Sequence, residues 1–434
     1  MATPPLAQSP LGIPRSRVRQ LLAASIGNVA EWYDWYAYSA LALYFSGQVF
    51  PKDAPNSLVP LLSVYGIFAV GFLMRPLGGL LVGSFADRFG RKAAMTFTIV
   101  LMGVGSLILA ITPTYEAVGV LSPIILVLAR LIQGLSVGGE FASATTFLVE
   151  SAPPGRRGLF SSFQYVSTTI GQLLALGIAA ILGSTLAKAD MDSYGWRIPF
   201  VIGAVISLVG LWIRKGADET SAVAEDVKQG KVQRPGLFDF LKHYPKQAAL
   251  IVGITIAGTV AYYTWTTFLP TYANIAVKFN KEDAISLGTI SLFFFAILQP
   301  LMGMLSDRIG RKPLLIAFGL GFTLLPVPLL GLMSNSAGSF VTIQLIGMVF
   351  LAGFTSISAA VNSELFPTRV RAAGAGAPYS LTVALFGGTA PLIGTAFINA
   401  GNPGLFPWYM SGLALISTLV YVFALKETKD QPLQ

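Results

Sequence analysis

The 434 residues contain no cysteine and a single histidine, His243. Disulfides, thiolate metal sites, a His-based catalytic pair and a zinc triad are therefore excluded. With no nucleophile–base pair and no metal cluster, an enzyme is not expected, and no cofactor or metal is implied. Charge is also scarce. Only 11% of residues are charged against 54% hydrophobic, and the mean hydropathy is +0.67. A soluble domain of this length has no use for that balance, so the expected solvent is lipid. A secretory signal is absent too: residues 1–20 are polar and proline-rich, with Arg15, Arg17 and Arg19 just before the first apolar run.

Apolar runs of roughly 20 residues suffice to cross about 30 Å of hydrocarbon. They fall at 20–45, 60–83, 93–112, 123–148, 159–184, 196–213, 247–273, 285–304, 313–333, 339–362, 373–397 and 405–425. The expected fold is an all-α membrane protein of twelve transmembrane helices in two six-helix bundles. The expected units are a tail (1–19), an N-terminal bundle (20–214), a Lys-rich and partly helical linker (215–246), a C-terminal bundle (247–425) and a second tail (426–434). With the N-terminus cytoplasmic, 22 of the 29 Lys and Arg collect in cytoplasmic segments, five lie opposite, and Arg75 and Arg130 fall inside spans. That asymmetry places both termini in the cytoplasm. It also explains the net charge of +9 without nucleic acid.

The chain repeats itself. GSFADRFGRK at 83–92 returns at 303–312 as GMLSDRIGRK, identical at six of ten positions, and ESAPPGRR at 150 is echoed by ELFPTRVR at 364. Each copy joins two apolar runs, as in a protein built from two similar halves. Glycine allows close helix approach there. Asp87 or Asp307 can accept from the N-terminal amides of a neighbouring helix or from an arginine across the interface. Glu150 with Arg156, and Glu364 with Arg369, are suitable partners. Together with Arg88, Arg91, Arg308 and Arg311 they form the expected gate, made when the cytoplasmic side closes and broken when it opens.

Ionisable groups inside a span are costly and mark function by default. Glu31, Asp34, Arg75, Arg130 and Glu140 lie in the first six spans, with Arg197 at the outer mouth, and the last six spans hold none. Proton and anion chemistry is therefore expected in the N-terminal half. Glu31 and Asp34, three residues apart, share a helical face with Tyr38. Arg75 is either a carboxylate clamp or the partner of Glu31. From the other half AYYTWTTFLPTY, with Tyr262, Tyr263 and Trp265, is placed to cap a cavity, and Gln164 and Gln172 are further candidates. Three arginines, with Arg197 at the cavity entrance, suit a carboxylate through forked hydrogen bonds.

The loop Gly-x-x-x-Asp-Arg-x-Gly-Arg-Lys, present twice, resembles the signature of the major facilitator superfamily. The resemblance implies two halves rocking around a midplane cavity that opens alternately to either side. Within that superfamily GNVAEWYDWYAYS, FLMRPLGG, RLIQGLSVGGE and GWRIPF look like the metabolite:proton symporter family, and YYTWTT with FGG is similar to its 2-oxoglutarate carriers. By this resemblance Tyr33 and Asp34 match a Tyr-Asp that faces an arginine of the fourth helix, here Arg130. The implied function is proton-coupled import of a small organic anion, such as the dicarboxylate 2-oxoglutarate, by a monomer in the cytoplasmic (inner) membrane. Its partners would be that anion, protons and the bilayer. Citrate, shikimate or a zwitterion such as proline or betaine are the alternatives, and a channel or sensor is the rival class. No heptads follow Lys426, which counts against the coiled-coil osmosensors of the family. Asp34 and Arg130, with Glu31, are the expected proton switch: alone in an apolar cavity the carboxyl keeps its proton, and beside the guanidinium it releases it.

Overall fold

The computed structural model describes residues 15–51, 58–89, 91–137, 145, 148–149, 152–215, 239–367 and 371–431. Glu140, Glu150, Arg369 and most of the expected linker lie outside the described residues, as do the side chains of Asp87, Arg88 and Arg91.

The long helices are α1 (Arg15–Val49), α2 (Val59–Phe89), α3 (Arg91–Ile111), α4 (Leu121–Val137), α5 (Arg157–Thr185) and α6 (Ile198–Lys215). The second half holds α7 (Pro245–Val277), α8 (Lys281–Ile309), α9 (Arg311–Leu324), α10 (Ala337–Glu364), α11 (Gly374–Asn399) and α12 (Leu405–Ala424). Several run past the apolar stretches that predict them. Helix α2 carries the first repeated loop to Phe89 and α8 carries the second to Ile309. Hydropathy ends at the first charge, whereas backbone hydrogen bonding continues through Asp and Arg until a glycine stops it. Gly310, at φ 104°, is that stop in the second loop.

The packing pattern shows the duplication in three dimensions. In the first half α1 lies on α5, α2 on α4, and α3 on both α4 and α6. In the second half α7 lies on α11, α8 on α10, and α9 on both α10 and α12, the same pairs shifted by six helices. The halves meet where α5 crosses α8 and where α2 crosses α11, contacts that the same shift exchanges. Large apolar side chains such as Leu81, Trp212, Ile290, Phe293 and Phe423 point outward. Bare hydrocarbon on the outside of a helical bundle is what lipid, not water, accommodates.

Close approach is bought with glycine: α4 packs on α2 with Gly134 against the backbone of Gly71, and Gly78 against that of Leu135. Helices α7 and α11 each widen into one π-turn, Thr264–Phe268 and Val383–Gly387. Such turns free a backbone carbonyl and recur near functional sites.

Candidate functional site

The two halves touch at both ends and in the middle. At the end carrying the repeated loops, α5 and α8 meet backbone to backbone: a Cβ on Gly158 would lie 2.5 Å from the Gly303 carbonyl oxygen, and one on Gly303 2.6 Å from that of Gly158. This brings the first turn of α5 onto Asp307. Its two carboxylate oxygens accept from the Gly158 and Leu159 amides at 2.8 and 2.9 Å, and Arg311 donates to it at 2.9 Å. An anion thus sits on the positive end of a helix from the other half.

Glu364 accepts from Arg311 at 3.4 Å and from the Thr428 hydroxyl at 2.6 Å, and lies 3.6 Å from Arg157. Of the two adjacent arginines it is Arg157 that meets Glu364, while Arg156 is exposed and its expected partner Glu150 lies outside the described residues. One residue of helical rotation separates them, and the RR pair in the sequence does not say which faces inward. Arg308 is also exposed, and its carbonyl accepts from Lys429 at 2.8 Å. Glu427 caps the start of α9, accepting from the Arg311 and Lys312 amides at 2.9 and 3.0 Å. Burial pushes its carboxyl up, but the amides of Arg311, Lys429, Lys312 and Thr428 outweigh that and hold it below the usual range.

A lock of this kind is testable in a chain without native cysteine. Each charge-assisted bond is worth about 1.5–3 kcal/mol, so losing one shifts the balance between closed and open by about tenfold or more. Ser161, buried where its hydroxyl accepts from the Ala360 amide, reports the opening. In a Ser161→Cys background, Asp307→Asn is expected to raise the rate of maleimide labelling by about tenfold. An unchanged rate would show that Asp307 does not hold the halves together.

At the opposite end Lys281 lies over the Tyr44 ring at 3.7 Å and pairs with Asp192 at 3.4 Å, and Tyr65 donates to Thr271 at 3.0 Å. Arg197, expected at a cavity entrance, instead donates to the Ala110 and Thr112 carbonyls and caps α3. The free carbonyls at that helix end satisfy it better than open water would.

Between these ends lies a cavity of about 10 Å³ lined by Trp32, Gln164, Tyr165, Thr168, Thr259, Tyr262, Tyr263 and Tyr379. That is room for about one water. Two tyrosine pairs close it across the interface, Tyr36 with Tyr262 at 2.5 Å and Tyr165 with Tyr379 at 3.0 Å. Arg75 reaches this region from α2. It is 6% exposed, and its Cζ lies 4.1 Å from the Phe72 ring centroid and 4.8 Å from those of both Trp32 and Trp35. Tyr263 and Tyr379 are the nearby hydroxyls with which it interacts electrostatically. Its Nε and Nη2 have no hydrogen-bond partner among the described residues. Of the two roles open to Arg75, pairing with Glu31 is not what the geometry shows: aromatic faces surround the guanidinium, and two buried donors are left over.

Asp34 and Arg130 are both fully buried, inside the N-terminal bundle and away from this cavity. The Asp34 carboxylate takes a short hydrogen bond from Ser106 of α3, and its other oxygen packs against Gly203 of α6. Arg130 acts on that carboxylate electrostatically, but donates to the Asp34 carbonyl at 3.5 Å and to Gln133 at 2.8 Å. Gln133 donates in turn to Ser106 at 3.1 Å, so two neutral side chains bridge carboxylate and guanidinium. The Arg130 Cζ lies 3.7 Å from the Tyr38 ring centroid. Glu31 is buried on the same helix.

Tyr262, Tyr263 and Gln164 thus line the cavity, and five other expected binding residues do not. Arg75 stands outside the lining, among Phe72, Trp32 and Trp35. Arg130 is held in the bundle by Gln133 and two rings. Tyr33 donates to the Pro199 carbonyl at 2.8 Å, and Trp265 faces into its own half, donating to the Ile343 carbonyl at 3.2 Å and packing on Phe322. Gln172 donates to the Thr266 carbonyl that the π-turn of α7 presents, a bond between the halves. For Tyr33, Trp265 and Gln172 a polar atom in a crowded interior took a backbone acceptor. Trp32 and Tyr379 line the cavity and Tyr36 bonds to Tyr262 beside it, none of them an expected binding residue. The signal for Trp32 and Tyr36 was present: Asn28, Trp32 and Tyr36 recur every four residues, a second face of α1 beside the acidic one.

Known proteins resemble the chain in sequence and in fold. The family described as Sugar (and other) transporter matches residues 21–222, and the Major Facilitator Superfamily matches residues 254–434. The chain is 38% identical over 421 residues to the alpha-ketoglutarate permease of Escherichia coli K12, covering 96% of each. It is 30% identical to the proline/betaine transporter of the same strain, over 96% of this chain and 85% of that one. Its fold matches the partially occluded inward-open form of the E. coli xylose transporter XylE with a TM-score of 0.73 at 19% identity, over 95% of this chain and 98% of that one. A D-xylose-proton symporter structure matches equally, at 0.73 and 19%, over 95% and 99%.

Proposed function

Because the chain belongs to the major facilitator superfamily of transporters, we propose that it is a symporter that imports a small dicarboxylate, such as 2-oxoglutarate, together with protons across the cytoplasmic membrane. The observation that carries this reading is Arg75, a buried guanidinium with two unused donors at the meeting point of the halves. A buried fork of donors without an acceptor is costly. A carboxylate supplies the missing acceptors in the matching planar geometry. Tyr165, Tyr262, Tyr379 and Gln164 line the cavity next to Arg75, and their hydroxyls and amide serve as donors to a second carboxylate. The permease relative at 38% identity supports the same cargo.

The mechanism follows from the closures. A cavity of about 10 Å³ cannot hold a dicarboxylate. Cargo therefore enters only when the Tyr36–Tyr262 and Tyr165–Tyr379 pairs part, and leaves toward the cytoplasm when the Asp307 and Glu364 contacts release. Moving a dianion into a cell negative inside is uphill by about 4.6 kcal/mol per 100 mV, twice the cost of one charge. Two or more protons carried with it remove that penalty, and Asp34 is the buried carboxyl placed to carry one.

The test is uptake of labelled 2-oxoglutarate into proteoliposomes with an acid-outside pH gradient, competed by citrate, shikimate, proline and betaine. Accumulation that collapses with the gradient and is displaced by dicarboxylates supports the reading. Displacement by betaine alone would instead assign the aromatic rings of the cavity to a quaternary ammonium. Flux that neither saturates nor responds to the gradient would indicate a channel, and binding without flux a sensor.

A further inference from the structure

Trp35 follows Asp34 in the chain but points elsewhere. It is fully buried, its Nε1 has no hydrogen-bond partner among the described residues, and Phe72 and Phe68 pack against it with centroids 4.4 and 5.5 Å away. Gly71 leaves space for it: a Cβ there would lie 2.9 Å from its Cη2. Two cations share this one indole. The Arg75 Cζ lies 4.8 Å from the ring centroid and the Arg130 Cζ 5.0 Å from it. This indole stands between Arg75, next to the cavity-lining Trp32, and the arginine beside Asp34.

We propose that Trp35 is the positioning residue that couples cargo to proton. The inference rests on the reading of Arg75 as the carboxylate clamp and Asp34 as the proton carrier. Both guanidiniums are drawn to the same electron-rich ring and repel each other through a low-dielectric interior. When a cargo carboxylate binds Arg75, that cation is neutralised and drawn away. Arg130 then has the ring to itself, moves toward it, and weakens its hold on the Gln133–Ser106 bridge and the Asp34 carboxylate. Asp34, with less positive charge near it, takes a proton. The sign is that of symport, an anion and a proton boarding together.

Among the described residues, the titratable and charged groups that face this relay include Tyr38 over Arg130. Around Asp34 they are Arg130 of α4, Ser106 of α3 and Gly203 of α6, with Tyr33 and Glu31 on its own helix. Around Arg75 they are Tyr263 of α7 and Tyr379 of α11.

The experiment measures binding of 2-oxoglutarate to purified full-length protein across pH, together with the protons taken up on binding in weakly buffered solution. One coupled proton gives an affinity change of about tenfold per pH unit, and linkage makes proton uptake its reciprocal. Trp35→Leu is expected to bind more weakly and to lose most of that pH dependence, to less than about threefold per unit, while Trp35→Phe keeps most of it because a ring remains. Should the leucine variant fail to fold, site-specific mono-, di- and trifluorotryptophan at position 35 keep the shape and weaken only the ring's attraction for cations. Proton uptake per bound 2-oxoglutarate is then expected to fall stepwise with fluorination. Unchanged proton uptake across the fluorinated series would overturn the role of Trp35. Absence of proton uptake in the unaltered protein, or of 2-oxoglutarate binding, would instead overturn the function on which it rests.

Discussion

Arg75→Ala is expected to abolish 2-oxoglutarate binding and uptake, with a loss of roughly a hundredfold or more. The magnitude comes from two unused donors, each worth about 1.5–3 kcal/mol when bonded to a charged acceptor. Losing both removes most of the binding energy available to a small anion. Arg75→Lys tests the geometry separately from the charge. An ammonium restores a cation but cannot present a planar fork, nor lie flat over Phe72, Trp32 and Trp35 as the guanidinium does. It should recover only a small part of the activity. Ligand-induced thermal stabilisation measures binding and proteoliposome uptake measures transport. Melting of the ligand-free variants separates loss of the site from loss of the fold. Near-normal uptake by Arg75→Ala would remove Arg75 from the site.

The second large effect concerns the proton. Asp34→Asn keeps the shape of the carboxyl and a hydrogen bond to Ser106 but can no longer gain or lose charge. Such a variant should still exchange labelled for unlabelled cargo across the membrane, since exchange needs no net proton movement. Accumulation driven by a pH gradient should disappear, falling to simple equilibration. Arg130→Ala is expected to be more severe. It leaves the buried Asp34 carboxylate without its nearby cation and empties the space beneath Tyr38 and Trp35, so both exchange and accumulation should be lost. Concentrative uptake that survives in Asp34→Asn would place the proton on another group. Glu31, buried one turn earlier, is the first to examine.

Under the proposed function, conformational change is a competition between two sets of weak closures. At one end are Asp307 on the α5 amides and Glu364 between Arg311 and Arg157. At the other are Lys281 with Asp192 and Tyr65 with Thr271. Each contact is worth only a few kcal/mol at most. Cargo therefore needs only a modest preference for one state over the other to move the whole molecule. The backbone contact of Gly158 with Gly303 gives the closed end a defined geometry, since two surfaces without side chains fit in one way.

What the sequence determined by itself is the architecture. Twelve apolar runs, a repeated ten-residue loop and the one-sided placement of Lys and Arg are local or additive properties, and lipid leaves a helix as the means of satisfying each span's backbone. The location of ionisable groups in the first half and the ring-rich stretch of α7 were legible for the same reason. Only tertiary structure decided which side chains meet. Helical phase placed Arg157 beside Glu364 and left Arg156 exposed. Proximity to a free carbonyl turned Tyr33, Trp265 and Arg197 away from the cavity. Three helices converging on one indole set Arg75 apart from Arg130, leaving one among Phe72, Trp32 and Trp35 and the other beside Asp34. Such outcomes depend on contacts between residues far apart in the chain, where a rotation of one position or a rival acceptor a few ångströms away changes the partner, and no spacing along a single helix encodes that.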